Sequence, residues 1–175
     1  HDDEVSEHAI ALLLSLVRVI PLKDRELRQG VWERAPLPNH HVFGQTLGLV
    51  GFGRIAQLVA RKMSGFEMTV LCNDPYVTDE AMSAKGVQHA SLDEIWTRSD
   101  FVSLHCPLTT ATKGLVGERE LRMMKPEALL INTSRGPVVQ ESALIQALRE
   151  GWIAGAGLDV FEEEPPPVDH PLCRA

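Results

Sequence analysis

Apolar residues along this chain change their period once. From Ser6 to Val19, Ala9, Ile10, Leu13, Leu14 and Val17 recur at helical spacing, and Leu12 and Leu16 widen the stripe until the helix reads as buried on most sides. Pro21 ends that helix or opens the next turn, and a second, more polar helix is predicted over 22–29. The stretch RAPLPNHHVFG (34–44) has the prolines and the aperiodicity of a linker. Beyond it, short apolar runs alternate with amphipathic segments. TLGLVGF, FEMTVLCND, DFVSLHC, EALLINTS and IAGAGLDVF read as strands. RIAQLVARKMSG, VTDEAMSAKG, SLDEIWTRS, GERELRMM and ESALIQALREG read as the helices among them, the first with Ile55, Leu58, Val59 and Met63 on one face. Such alternation predicts βα units in a parallel sheet with helices on both faces, and right-handed crossovers make it a doubly wound α/β domain.

Composition narrows the partners more than the fold. With 175 residues, 44% hydrophobic and 23% charged, the chain has the size of one globular domain, here 1–175 with an N-terminal helical segment at 5–30. Its 17 Lys and Arg are scattered among 24 acids, for a net charge of −7 without a basic stripe. No nucleic-acid or membrane partner is expected, and an anionic ligand must be held by local groups. The longest apolar run, AIALLLSLV, has nine residues, too short for a bilayer span, and acids precede it where a secretory signal would carry lysines. Cys72, Cys106 and Cys173 are odd in number and widely spaced, which favours a reducing, cytoplasmic compartment over disulfide pairing. No HExxH or Cys/His cluster calls for a metal. The abrupt opening HDDEVSEHAIALLL, already helical, reads as a cut inside a longer protein, and FEEEPPPVDHPLCRA has a composition easily mistaken for a disordered end.

GLVGFGRIA places Gly51, Gly53 and Ala56 in G-x-G-x-x-A order between a strand and its helix. Gly51 suits a tight turn, Gly53 lets the backbone approach a pyrophosphate, and Ala56 permits close packing, while the helix N-terminus offers N–H groups to phosphate. Asp74 ends the next strand 18 residues beyond Ala56, where a carboxylate can accept both hydroxyls of an adenosine ribose and repel a 2′-phosphate. With no Lys or Arg between Cys72 and Glu80, NAD is favoured over NADP. Two other readings stay open here: a methyltransferase using the same features for S-adenosylmethionine, and an Asp74 that merely caps the turn before Pro75.

In a doubly wound sheet the crevice lies at the carboxyl ends of the strands, so residues 51–55, Asp74, HCPLTTAT, NTSRG and Asp159 are expected to converge. Arg135, in LLINTSRGPVV, suits a bidentate grip on a carboxylate that also polarises the neighbouring carbonyl, or is an ordinary solvated arginine before a turn. His105 lies at a strand end where a general acid would be useful, but without an evident partner carboxylate it reads better as a hydrogen-bonded packing residue. His170 is no better placed, His8 falls inside the first helix, and His40 and His41 fall in the linker.

EHAIALLL, GLVGFGRIA, NDPY, DFVSLHCPLTTATKGL, MKPEALLINTSRGPVVQESAL and AGAGLDVFEEEP together resemble, in this order, the NAD-binding Rossmann domain of the D-2-hydroxyacid dehydrogenase family. The resemblance covers nearly the whole chain. It implies an oxidoreductase moving a hydride between nicotinamide and a small 2-hydroxy or 2-oxo acid, with 3-phosphoglycerate a candidate and formate or phosphite as alternatives. It also implies Arg54 and Ile55 over the pyrophosphate, Asp74 on the adenosine ribose, and Cys106 and Pro107 bordering the cofactor. Thr133, Ser134 and Arg135 would line the nicotinamide side, with Asp159 near the nicotinamide amide. Arg135 resembles the family's substrate-orienting arginine, and Glu164, immediately before Pro165, resembles the glutamate that pairs with its catalytic histidine. That histidine and a separate substrate domain belong to segments outside these 175 residues, so the chain is expected to hold the cofactor and to turn over little alone. The apolar first helix is expected to need cover beyond this domain's sheet, and in the family it lies at the subunit interface, which implies a homodimer. An NAD-sensing corepressor or interaction protein on the same fold is the alternative, while Arg135 and Glu164 together speak against a methyltransferase.

Overall fold

A computed structural model of the chain describes residues 1–34 and 41–173, so the predicted linker lies mostly outside the described residues. Two helices come first, α1 (Asp2–Val17) and α2 (Ile20–Arg28), and strands and helices then alternate. They are β1 (Thr46–Val50), α3 (Arg54–Met63), β2 (Thr69–Asn73), α4 (Asp79–Ser83), β3 (Gln88–His89), α5 (Leu92–Arg98) and β4 (Phe101–Leu104). The series closes with α6 (Glu118–Met123), β5 (Leu129–Asn132), α7 (Glu141–Glu150) and β6 (Gly155–Leu158).

All six strands pair in parallel, in the order β3-β2-β1-β4-β5-β6. Chain direction across the sheet reverses between β1 and β4, and the carboxyl ends of those two strands open the crevice in which such sheets hold ligands. Because side chains alternate along a strand, each apolar run feeds two cores. Leu130, Val102, Leu104 and Leu71 join Ile95, Trp96, Leu121 and Leu144 on one face. Leu129, Ile131, Leu47, Leu49 and Val70 join Leu13, Val17, Val59 and Met63 on the other.

Three expectations change. β3 carries no apolar run, since both of its residues are exposed, and pairing with Leu71 and Cys72 alone makes it a strand. The buried face of α3 is Ala56, Val59, Ala60 and Met63, while Ile55 and Leu58 are only partly covered; small residues let the helix settle close to the sheet. The first helix finds much of its cover at home. α1 lies on α3, β5 and β6 with Ser6, Ala9, Leu13 and Val17 buried, and Ile10, Leu12, Leu14 and Leu16 pack partly against the same core. Lys62 of α3 ties down its first turns, donating to Asp3 Oδ1 at 2.8 Å, Ser6 Oγ at 2.9 Å and Glu7 Oε1 at 3.0 Å. Apolar surface remains instead beyond α1, at Ile20, Leu27 and Trp32, which are 54%, 56% and 70% exposed.

Candidate cofactor site

The glycine turn is built around Gly51, whose φ of +91° lies in the left-handed region that glycine alone enters without strain. A side chain there would also come within 2.9 Å of the His105 carbonyl, so the turn and the β4 exit pack against each other. At Gly53, the residue that caps α3, an added carbon would meet nothing within 4 Å, so the first turn of the helix faces open space. Asp74 closes the turn from the neighbouring strand end. Its Oδ2 accepts from Phe52 N at 2.8 Å and its Oδ1 from Tyr76 N at 2.9 Å. A carboxylate offers about four acceptor positions, so two remain for other donors.

Two hollows flank this turn. One, of about 230 Å³, is bounded by Gly51, Asp74, Tyr76, Leu92, Cys106 and Pro107. The other, of about 440 Å³, gathers Ile55, Cys106, Pro107, Thr133, Ser134 and Arg135, with Val5, His105 and Leu108 completing its wall. Cys106 and Pro107 form the partition between them, an arrangement suited to a ligand with two ends. The Thr133 hydroxyl is buried without a hydrogen-bond partner, and its residue, only 9% exposed, lines the second hollow. An unsatisfied buried hydroxyl is costly, and Thr133 is one of the residues that a ligand in that hollow would touch. These features fit a dinucleotide.

Arg135 stands at the edge of the same hollow. Asn132 shapes its loop, accepting from Ser134 N at 3.0 Å and Ser134 Oγ at 2.8 Å and donating to the Arg135 carbonyl at 3.0 Å. The guanidinium is exposed, and its Nη1 donates to the Ser134 carbonyl at 2.7 Å.

Other predicted residues sit farther out. The Arg54 residue is exposed and borders a separate hollow of about 620 Å³ with Gln57, Arg61 and Lys85, next to the Gly53 cap of α3. Asp159 borders a shallow hollow with Glu4, Val5 and His8, adjoining the Arg135 hollow through Val5. Glu164 lines none of these hollows, and its Oε1 accepts from Phe161 N at 3.0 Å. It nevertheless belongs to the Arg135 neighbourhood, because the Phe161 carbonyl packs so tightly on Gly136 that a side chain there would collide with it.

His8 and Val5 were missed by the sequence reading. His8 Nε2 lies 3.3 Å from Asp159 Oδ1. Helical periodicity marks the buried face of α1 but not which strand ends its first turns will meet.

The ionisable groups at the strand ends are quiet ones. Burial and, secondarily, the Asp74 charge push the Cys72 thiol up to about 12, and burial raises Cys106 as well, so neither supplies a thiolate at neutral pH. Desolvation pushes His105 down to about 4, and its Nε2 lies 2.8 Å from the Ser103 hydroxyl, the arrangement of a neutral packing histidine. Among the described residues no group of three or more His, Cys, Asp or Glu is placed to hold a metal.

Comparison with known proteins agrees with this geometry. Residues 10–175 match the model of the D-isomer specific 2-hydroxyacid dehydrogenase NAD binding domain. The chain belongs to that family. It is 47% identical over 176 residues to a glyoxylate reductase of Korarchaeum cryptofilum, covering 98% of this chain and 53% of the relative. It is 42% identical over 167 residues to the D-3-phosphoglycerate dehydrogenase of Mycobacterium tuberculosis, covering 95% and 31%. The structure of an NAD-dependent formate dehydrogenase from Staphylococcus aureus in complex with NAD superposes with a TM-score of 0.89 at 34% identity, covering 97% of this chain and 52% of that one. The chain thus spans about half the length, or less, of these relatives, and corresponds to their NAD-binding domain.

The buried histidine gives a pH test. Its folded pKa is lowered from 6.5 to about 4, so its contribution to stability is full above pH 6.5 and is lost as pH falls through 4. Urea unfolding of His105→Gln should therefore show a shallower loss of stability across that interval than the parent chain, and parallel curves would mean that the ring is not held neutral.

Proposed function

We propose that this domain serves an enzyme that interconverts a small 2-oxo acid and its D-2-hydroxy acid. The observation that carries the reading is the gathering of Thr133, Ser134 and the Arg135 fork with Ile55, Cys106 and Pro107 around one hollow beside the glycine turn. NAD, when bound, supplies or accepts the hydride at its nicotinamide ring. Asp74 receives the adenosine ribose hydroxyls, and the first turn of α3 receives the pyrophosphate. Arg135 holds the substrate carboxylate and stabilises the charge that grows on the neighbouring oxygen. Its loop is already fixed by Asn132, and the bond to the Ser134 carbonyl uses one of five guanidinium donors, leaving the fork capable of a bidentate grip. Glu164 holds and raises the basicity of a histidine supplied by a segment beyond this chain, which exchanges the hydroxyl proton. Asp159, linked to His8, receives the nicotinamide amide.

Glyoxylate is the first substrate to test, because the 47%-identical relative is a glyoxylate reductase, and 3-phosphoglycerate is the second. Cys72 and Cys106, buried and unpaired, suit a reducing, cytoplasmic compartment. We further propose a homodimer that covers the apolar surface of Ile20, Leu27 and Trp32.

In the two-domain enzyme, Arg135→Gln should lower kcat/KM for glyoxylate by about 10²- to 10³-fold, the cost of removing a donor aimed at developing charge, and should lower NADH affinity by much less. Steady-state rates within a factor of about two of the parent, about 0.4 kcal/mol in the barrier, would remove Arg135 from the reaction. For the assembly, sedimentation should report a dimer that Trp32→Glu dissociates; a monomer at high protein concentration would refute it.

A further inference from the structure

His170 has no task in the reaction just described, yet it is firmly built in. Its ring and the Glu141 carboxylate are 13% and 12% exposed, with Nε2 2.9 Å from Glu141 Oε2. Leu172 N donates to its Nδ1 at 3.1 Å, which fixes the ring with its hydrogen on Nε2, directed at Glu141. The ring also meets Phe161 edge to face, centroids 5.8 Å apart. Glu141 then passes the restraint on. Its Oε1 accepts from Glu162 N at 2.6 Å, while Glu141 N donates to Glu162 Oε1 at 3.0 Å, a reciprocal pair joining the start of α7 to the chain after β6.

The residues on either side of this junction are the ones that the proposed reaction uses. Phe161, next to Glu162, packs its carbonyl on Gly136, next to Arg135, and donates its N–H to Glu164. Only one oxygen of Glu164 is spent on that bond, so the other remains for a histidine. The Glu141 carboxylate is held by the Glu162 backbone N–H on one oxygen and by the His170 ring on the other, and the Glu162 carboxylate by the Glu141 backbone N–H. Without that ring, Glu141 loses its side-chain donor and the junction loosens.

We propose that His170, Glu141 and Glu162 form a clamp that sets the position of Glu164 relative to Arg135. His170 is then a positioning residue that never touches substrate. The role rests on the reading that Arg135 and Glu164 serve one reaction centre.

Amide exchange in this chain, followed by NMR, reads the clamp without reference to activity. His170→Ala should speed exchange at Phe161 and Glu162 by about tenfold or more, the equivalent of one net hydrogen bond. His170→Gln, whose side-chain amide can donate to Glu141, should restore most of the protection. In the two-domain enzyme, His170→Ala should lower kcat about tenfold with KM for NADH unchanged, as when a reacting group is displaced but the cofactor contacts stay. Its pH–rate profile should shift in the same direction as that of Glu164→Gln. Unchanged exchange at 161 and 162 overturns the clamp. Faster exchange with unchanged kcat and pH profile overturns the positioning role and leaves a packing contact. A parent enzyme that binds NADH but reduces no 2-oxo acid also removes the role, and it does so through the failure of the hydride-transfer reading, which the exchange rates do not touch.

Discussion

The bond from the Phe52 amide to the Asp74 carboxylate, 2.8 Å long, is the constraint on which the cofactor edge depends. It joins the turn after β1 to the end of β2, and the Tyr76 amide holds the other oxygen of the same carboxylate. Charge-assisted bonds of this kind are roughly twice as strong as neutral ones. Gly51 is pressed against the β4 exit from the opposite side, so the turn is held between two strand ends. A rigid turn presents the first turn of α3 to a phosphate group without an ordering cost at the moment of binding.

From that edge the site divides by chemistry. Toward β2 the hollow is bounded by Asp74, Tyr76, Leu92 and Pro107, a surface with one charge and much apolar area. Toward β5 it is bounded by Thr133, Ser134 and the exposed Arg135 guanidinium, a group suited to developing charge. The thiols and the histidine between them stay uncharged at neutral pH, because burial holds Cys72 near 12 and His105 near 4. Arg135 is therefore the charged group at that hollow, and its field is not diluted by neighbours of variable charge.

Much of the cofactor edge was legible in the sequence, because it arises from local rules. Glycine at a left-handed turn, an acid at the next strand end and apolar runs of strand length each leave a mark within a few residues. Ile55, Cys106, Pro107, Thr133, Ser134 and Arg135 were placed on strand ends from that pattern, and they share one hollow. What stayed hidden depends on docking. β3 is a strand only because β2 pairs with it, and the Ala56 and Ala60 face of α3 carries too little side chain to register as apolar periodicity. His8 of α1 reaches Asp159 at the end of β6, and His170 reaches Glu141 over 29 positions of sequence. No periodicity encodes either contact. The proline-rich end illustrates the same limit: its composition is easily mistaken for disorder, while a single histidine and a reciprocal pair of glutamates dock it on α7.

Calorimetric titration of this chain with NADH, NADPH and S-adenosylmethionine, repeated on Asp74→Ala, tests the central claim most directly. The account predicts that NADH binds most tightly and that the substitution weakens it by about tenfold or more, since a carboxylate that accepts hydroxyls contributes about 1.5–3 kcal/mol. NADH affinity indifferent to Asp74, or tighter binding of S-adenosylmethionine, would contradict it.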